Sequence, residues 1–149
     1  MNVLLVEDNL GDVRLMREIF REVLTSIYLH VVNDGLEAIA FLRREAFNRN
    51  APRPDLILLD LNMPTMDGRE LLAVIKNDAS LRIIPTVVLT SSEADEDIAA
   101  SYSLQVSGYL RKPLLFKELQ ALIGVVGTYW LNVTLPNCRP IAAMHDMNA

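Results

Sequence analysis

The sequence predicts a doubly wound α/β fold, a five-stranded parallel sheet with helices on both faces, and three observations carry that prediction. Strand and helix patterns alternate five times along the chain. The run Leu56-Ile57-Leu58-Leu59 is apolar on both faces, as a central strand covered by helices on either side has to be. Polar residues stand directly after four of the predicted strands, where open parallel sheets bind their ligands.

Each element has a local reason. Val3 to Val6 is a short apolar strand that ends at Glu7-Asp8-Asn9 and the turn Leu10-Gly11-Asp12. Val13, Met16, Phe20, Val23 and Leu24 then recur on one helical face, while Arg14, Arg17, Glu18 and Arg21 take the other. Ile27 to Val32 reads as the second strand, closed by Asn33-Asp34-Gly35, and Leu36, Ile39, Ala40 and Leu42 give the second helix. Pro52, Arg53 and Pro54 mark the loop before the third strand, and Asp60 stands just past that strand's end. The turn Pro64-Thr65-Met66-Asp67-Gly68 leads into a helix carrying Leu71, Leu72, Val74 and Ile75, and Pro85 opens a fourth strand through Leu89. Glu93 to Tyr102 predicts a helix whose acidic first turn (Glu93, Asp95, Glu96, Asp97) suits the positive end of the helix dipole. Val106 to Leu110 is a short fifth strand, and a last helix follows from Leu114.

Composition narrows the class of function. The 149 residues suffice for one core, and 51% apolar with 22% charged residues is the make-up of a globular chain rather than a disordered one. A net charge of -5 argues against direct nucleic-acid binding. Met1 to Val6 lacks the basic segment and cleavage site of a signal peptide, and the longest uncharged stretch, Leu119 to Cys138, is broken by Gln120, Gly124, Gly127, Asn132 and Pro136. A cytoplasmic protein with no membrane role is therefore expected. The single cysteine, Cys138, excludes an intramolecular disulfide framework.

The residues just past the strands are Glu7-Asp8-Asn9, Asp60-Leu61-Asn62, Thr90-Ser91-Ser92 and Lys112-Pro113. Three carboxylates gathered at one rim repel one another, and a hard divalent cation relieves the repulsion. Mg²⁺ fits, since it takes one or two carboxylates together with a backbone carbonyl, waters and phosphoryl oxygens. A carboxylate left free can attack a phosphoryl group and hold it as an acyl phosphate, with Mg²⁺ and Lys112 balancing the charge and Thr90 donating a hydrogen bond. Singly, each residue has a plainer use. Asp8 or Asn9 caps the first helix, Asp60 makes an Asx turn, Thr90, Ser91 or Ser92 caps the helix before Glu93, and Lys112-Pro113 forms a turn. Together, at the ends of strands that line one crevice, they favour the reactive site.

Residues 3 to about 126 resemble the response-regulator receiver domains of two-component signalling. The segments that match are Leu4-Leu5-Val6-Glu7-Asp8-Asn9, Asp55-Leu56-Ile57-Leu58-Leu59-Asp60-Leu61-Asn62-Met63-Pro64, Met66-Asp67-Gly68, Pro85-Thr86-Val87-Val88-Leu89-Thr90 and Gly108-Tyr109-Leu110-Arg111-Lys112-Pro113. The resemblance implies a flavodoxin-like receiver fold and Asp60 as the acceptor of a phosphoryl group from a sensor histidine kinase. It also implies Mg²⁺ held by Glu7, Asp8, Asp60 and the backbone carbonyl of Asn62, and Lys112 on the phosphoryl group with a cis bond before Pro113. In such a domain Thr90 moves toward the phosphoryl group and Tyr109 changes between outward and inward rotamers. That change reshapes the face made by the helix over 93–102, the fifth strand and the last helix. Without the resemblance, Tyr109 reads as a half-buried strand aromatic. Asn62 and Ser92 match positions that tune the loss of phosphate. The implied role is that of a phosphoacceptor signalling protein, which promotes only its own phosphorylation and dephosphorylation and is not otherwise an enzyme.

The division expected is a receiver over 1–127 and a C-terminal extension over 128–149, the latter a dimerisation segment followed by a tail without periodicity. The last helix carries Phe116, Leu119, Leu122, Ile123, Val125 and Val126 and runs into Thr128-Tyr129-Trp130-Leu131, more apolar surface than one docking stripe needs. Two readings stay open: Tyr129, Trp130 and Leu131 fold back onto the domain's own core, or with Phe116 they form a homodimer interface. The Tyr-Trp-Leu…Leu-Pro ending and Asp12-Val13-Arg14-Leu15 resemble the small regulators of cyanobacterial phytochrome kinases, which implies a dimer and a phytochrome-type partner kinase. Leu114-Leu115 put apolar side chains where a helix cap is expected, which points to an irregular helix start or one covered by a partner.

Rival functions fare worse. An aspartyl-nucleophile phosphatase of the haloacid dehalogenase type needs a second acid two residues after its nucleophile, where this chain has Asn62, and no G-x-G-x-x-G follows the first strand to bind a dinucleotide. An interaction module of receiver architecture that is never phosphorylated is the alternative of a different class, and the intact Glu7, Asp8, Asp60, Thr90 and Lys112 speak against it.

Overall fold

Alternate residues of β1 (Asn2–Val6) point to opposite faces of one sheet, and different helices cover the two faces. The computed structural model describes residues 1–45, 48–61, 63, 66, 68–91 and 106–132. On one face, Val3 and Leu5 pack with Met16, Ile19 and Phe20 of α1 (Leu10–Val23) and with Leu119 and Ile123 of α4 (Phe116–Asn132). On the other, Leu4 and Val6 pack with Ala38 and Phe41 of α2 (Gly35–Arg43) and with Leu71, Leu72 and Ile75 of α3 (Gly68–Asn77). Every residue of β3 (Leu56–Leu59) is buried, as its two-sided apolar run demands.

The five strands, completed by β2 (Tyr28–Val32), β4 (Thr86–Thr90) and β5 (Gly108–Arg111), lie in the order β2-β1-β3-β4-β5, and all pairings are parallel. The chain winds outward from β1 to β2, then returns to the far side of β1 for β3. Winding therefore reverses between β1 and β3, and the register sets Val6 opposite Leu59 at the carboxyl end of that pair. This is the switch point where such sheets bind ligands. The doubly wound five-stranded parallel sheet expected from the sequence is the fold observed.

Several details differ from the sequence pattern. α1 buries Ile19 and leaves Val23 44% exposed, while Leu24 at the C-cap is buried. α2 buries Gly35, Ala38 and Phe41 and packs Ile39 and Leu42 partly against the same core, so the expected stripe is met except at Leu36, which is exposed. α4 starts at Phe116 rather than Leu114, with Leu114 99% exposed, and it runs unbroken across positions 127 and 128 to Asn132. The helix expected over Glu93 to Tyr102 and the tail from 133 to 149 lie outside the described residues. Among the described residues no helix is long and apolar enough to cross a membrane.

Candidate functional site

Backbone pairing carries one residue past the strands and fixes three site residues. The Glu7 N–H donates to the Val32 carbonyl at 3.0 Å, the Asp60 N–H to the Val6 carbonyl at 3.1 Å, and the Lys112 N–H to the Thr90 carbonyl at 2.9 Å. Each side chain thus stands on a frame set by the neighbouring strand rather than on a free loop. Asp8 follows Glu7, and Asn9 caps α1 by accepting from the Asp12 N–H at 3.0 Å, so the capping role expected of Asp8 or Asn9 falls to Asn9 and leaves Asp8 for the rim. Behind Asp60, the Gly68 N–H donates to the Leu61 carbonyl at 2.9 Å. A Cβ at position 68 would strike the Asp60 carbonyl oxygen and come within 2.6 Å of Leu61 Cα, so this contact requires glycine.

The geometry gathers charge in a small, nearly buried space. Ligand oxygens of Glu7, Asp8 and Asp60 all lie within 4.8 Å of one another. The Lys112 ammonium pairs with Glu7 Oε1, with Asp12 Oδ2 at 3.0 Å and with Asp60 Oδ2 at 3.5 Å. Glu7 is 1% exposed, and its Oε2 is buried with no hydrogen-bond partner. Burial first, and then the neighbouring Asp60, push the Glu7 carboxyl up to about 8 against the pull of Lys112. Burial on its own would depress Lys112, but its hydrogen bond to Glu7, the charges of Glu7 and Asp60 and a hydrogen bond to Asp12 outweigh that and raise it, so the ammonium stays charged. An orphaned carboxylate oxygen beside two further carboxylates is a set of hard oxygen donors, and it fits a divalent cation.

The remaining expectations fall as follows. Thr90 is fully buried at the end of β4, and Tyr109 is half-buried against the core on the α2/α3 face. Asn62 and Ser92 lie outside the described residues. The cis bond expected before Pro113 is absent: no peptide bond is cis among the described residues. The trans form is the intrinsically favoured one by about 0.5–1 kcal/mol, and Lys112 reaches the acidic cluster with it. Phe116 and Trp130 are partly buried against the α1/α4 core, whereas Tyr129 is 60% and Leu131 40% exposed. The structure therefore divides the aromatic segment between the domain's own core and solvent. Asp12 and Gly68 stand in segments quoted for their resemblance, but sequence reasoning gave neither a role in the site. Asp12 could have been found from its place in the first turn of α1, where an acid near Glu7-Asp8 faces the same rim.

Comparison with known proteins agrees with this fold. Residues 3–124 match the family of the response regulator receiver domain. The chain is 46% identical over 135 residues to the response regulator Rcp1 of Synechocystis sp., covering 90% of this chain and 92% of that one. It superposes on the phosphorylated cyanobacterial phytochrome response regulator RcpA with a TM-score of 0.86 at 45% identity, covering 91% of this chain and 97% of that one. Against the Mn²⁺-bound form of Rcp1 the TM-score is 0.84 at 46% identity, with 91% and 98% covered. The two-way winding that brings Glu7, Asp8, Asp60 and Lys112 together is thus shared with these proteins, and the chain belongs to the response regulator receiver domain family.

Proposed function

We propose that Asp60 is a phosphoacceptor and that a histidine kinase of the phytochrome type supplies its phosphoryl group. The observation that carries the reading is the convergence of Glu7, Asp8 and Asp60 within 4.8 Å, with the Lys112 ammonium 3.5 Å from Asp60. The phytochrome assignment draws on the likeness to RcpA and Rcp1 over nine-tenths of the chain. Mg²⁺ would be held by Glu7, Asp8 and Asp60, with the Asn62 carbonyl completing the protein's share. When bound, it supplies positive charge against these carboxylates and against the oxygens of the transferred group.

The chain's own residues do the rest. A carboxylate oxygen of Asp60 bonds to phosphorus as the phosphorus–nitrogen bond of the donor histidine breaks, which leaves an acyl phosphate on Asp60. Lys112, held charged beside Asp60, offers a cation to the phosphoryl oxygens. Thr90, at the end of β4, gives its hydroxyl to the same group, and the vacated volume lets Tyr109 turn. The signal then passes by contact between proteins. Val125 and Tyr129, one helical turn apart and both exposed, support a homodimer through α4 and the extension over 128–149.

The test is phosphotransfer from a phytochrome-type kinase labelled on its histidine. Label should pass to the wild type within minutes, be released by alkali or hydroxylamine as an acyl phosphate is, and fail to appear in Asp60→Asn. Equal labelling of Asp60→Asn would rule out Asp60 as the acceptor.

A further inference from the structure

Lys112 is shared three ways, and one of its partners has no part in holding a cation or receiving a phosphoryl group. The ammonium hydrogen-bonds Glu7 Oε1 and, at 3.0 Å, Asp12 Oδ2, while Asp60 Oδ2 stands farther off at 3.5 Å. A lysine has three N–H donors on a flexible stem and settles among the acceptors within reach. Here Asp12 draws the ammonium closer than the acceptor residue does. Asp12 is firmly placed for this, since its N–H is fixed by Asn9 Oδ1 and the next residue, Val13, is buried in the core. Its side chain is 38% exposed against 16% for Lys112, so the pair sits on the open lip of the crevice, where a phosphoryl donor must arrive.

We propose that Asp12 is a positioning residue that competes with the phosphoryl group for the Lys112 ammonium and so restrains the rate at which Asp60 is phosphorylated; this rests on the phosphoacceptor reading above. A phosphoryl group arriving at Asp60 has to attract the ammonium away from a carboxylate 3.0 Å from it. Asp12→Asn keeps the size, the backbone hydrogen bond to Asn9 and an acceptor oxygen, but removes the charge that holds Lys112 aside. Asp12→Glu keeps the charge at one methylene's longer reach.

The experiment is the initial rate of labelling by acetyl phosphate with Mg²⁺, followed by intact mass, for the wild type, Asp12→Asn, Asp12→Glu and both Lys112→Ala and Lys112→Ala/Asp12→Asn. For a partly exposed pair the expected gain in Asp12→Asn is roughly 2- to 5-fold, shrinking as salt is raised. Asp12→Glu should return to the wild-type rate, and the gain should vanish in the Lys112→Ala background. An unchanged or slower rate in Asp12→Asn, or a gain that persists without Lys112, overturns the proposal. A wild type that takes up no label under any donor would instead overturn the phosphoacceptor reading, and this inference with it.

Discussion

The Lys112 ammonium closes onto the buried carboxylate of Glu7, 105 positions earlier in the chain. This contact joins the loop after β5 to the end of β1 across the two strands between them. Burying a carboxylate costs free energy unless a charge or hydrogen bond compensates, and only one of the two Glu7 oxygens is compensated here. The unsatisfied oxygen marks where the site has capacity for a further partner.

That imbalance sets a pH dependence. With its carboxyl raised from 4.5 to about 8, Glu7 holds a proton in the folded chain over a range where the unfolded chain has lost it. The stabilisation is therefore fully present below about 4.5 and is lost as pH rises toward 8. Urea midpoints measured in chelator should fall across this window, and Glu7→Gln should flatten the slope. Because Mg²⁺ competes with that proton, its affinity should rise over the same range. A wild-type midpoint as flat as that of Glu7→Gln would contradict the assignment.

Gly68 is a second point of control, through backbone rather than charge. A methyl group there meets the main chain of Asp60 and Leu61, which cannot move aside as a side chain can. Gly68→Ala should cost about 1–3 kcal/mol in urea unfolding and should slow labelling of Asp60 in the fraction that remains folded. At Gly127 the added methyl meets only the end of the Leu24 side chain, so Gly127→Ala should be milder and leave labelling intact. Equal effects at the two glycines would count against the close approach at Asp60.

The exposed loop after Lys112 gives a prediction about the kinase. Leu114 is 99% exposed beside the site and buries nothing in the domain itself. Leu114→Ser should change stability by less than about 0.5 kcal/mol and leave uptake from acetyl phosphate unaltered. If this loop forms part of the surface that the proposed histidine kinase docks on, transfer from the kinase should slow, because the contact would lose an exposed apolar side chain. Unchanged kinase transfer would remove this loop from the docking face.

What the sequence revealed, and what it hid, follows from the range of the forces involved. β3 was legible because burial on both faces writes itself as four consecutive apolar residues, and the rim was legible because strand ends in a doubly wound sheet converge by rule. α2 was legible in part: Ile39 and Leu42 pack against the core as the pattern requires, but Leu36 is exposed and Phe41, outside the pattern, is buried, a choice that apolarity alone does not make. The contact of Gly127 with Leu24, which lets the last helix lie close to the end of α1, was not legible either, because its two partners lie far apart in the chain. The role of Asp12 was hidden because its partner, Lys112, is 100 residues away, and the resemblance that includes it assigned it no contact. The bond before Pro113 was misjudged for the opposite reason, since the family's feature was carried over where the local chain adopts the ordinary trans form.

The most direct test of the central claim is the native mass of the intact protein with acetyl phosphate and Mg²⁺, repeated after chelation and with Asp60→Asn. The account predicts a gain of one phosphoryl group that needs the metal and is absent from Asp60→Asn, on a species with the mass of two chains that Tyr129→Ser weakens. A protein that gains no phosphoryl group from acetyl phosphate or from kinase, and binds no Mg²⁺, would contradict it and leave a receiver fold that works only as an unphosphorylated interaction module.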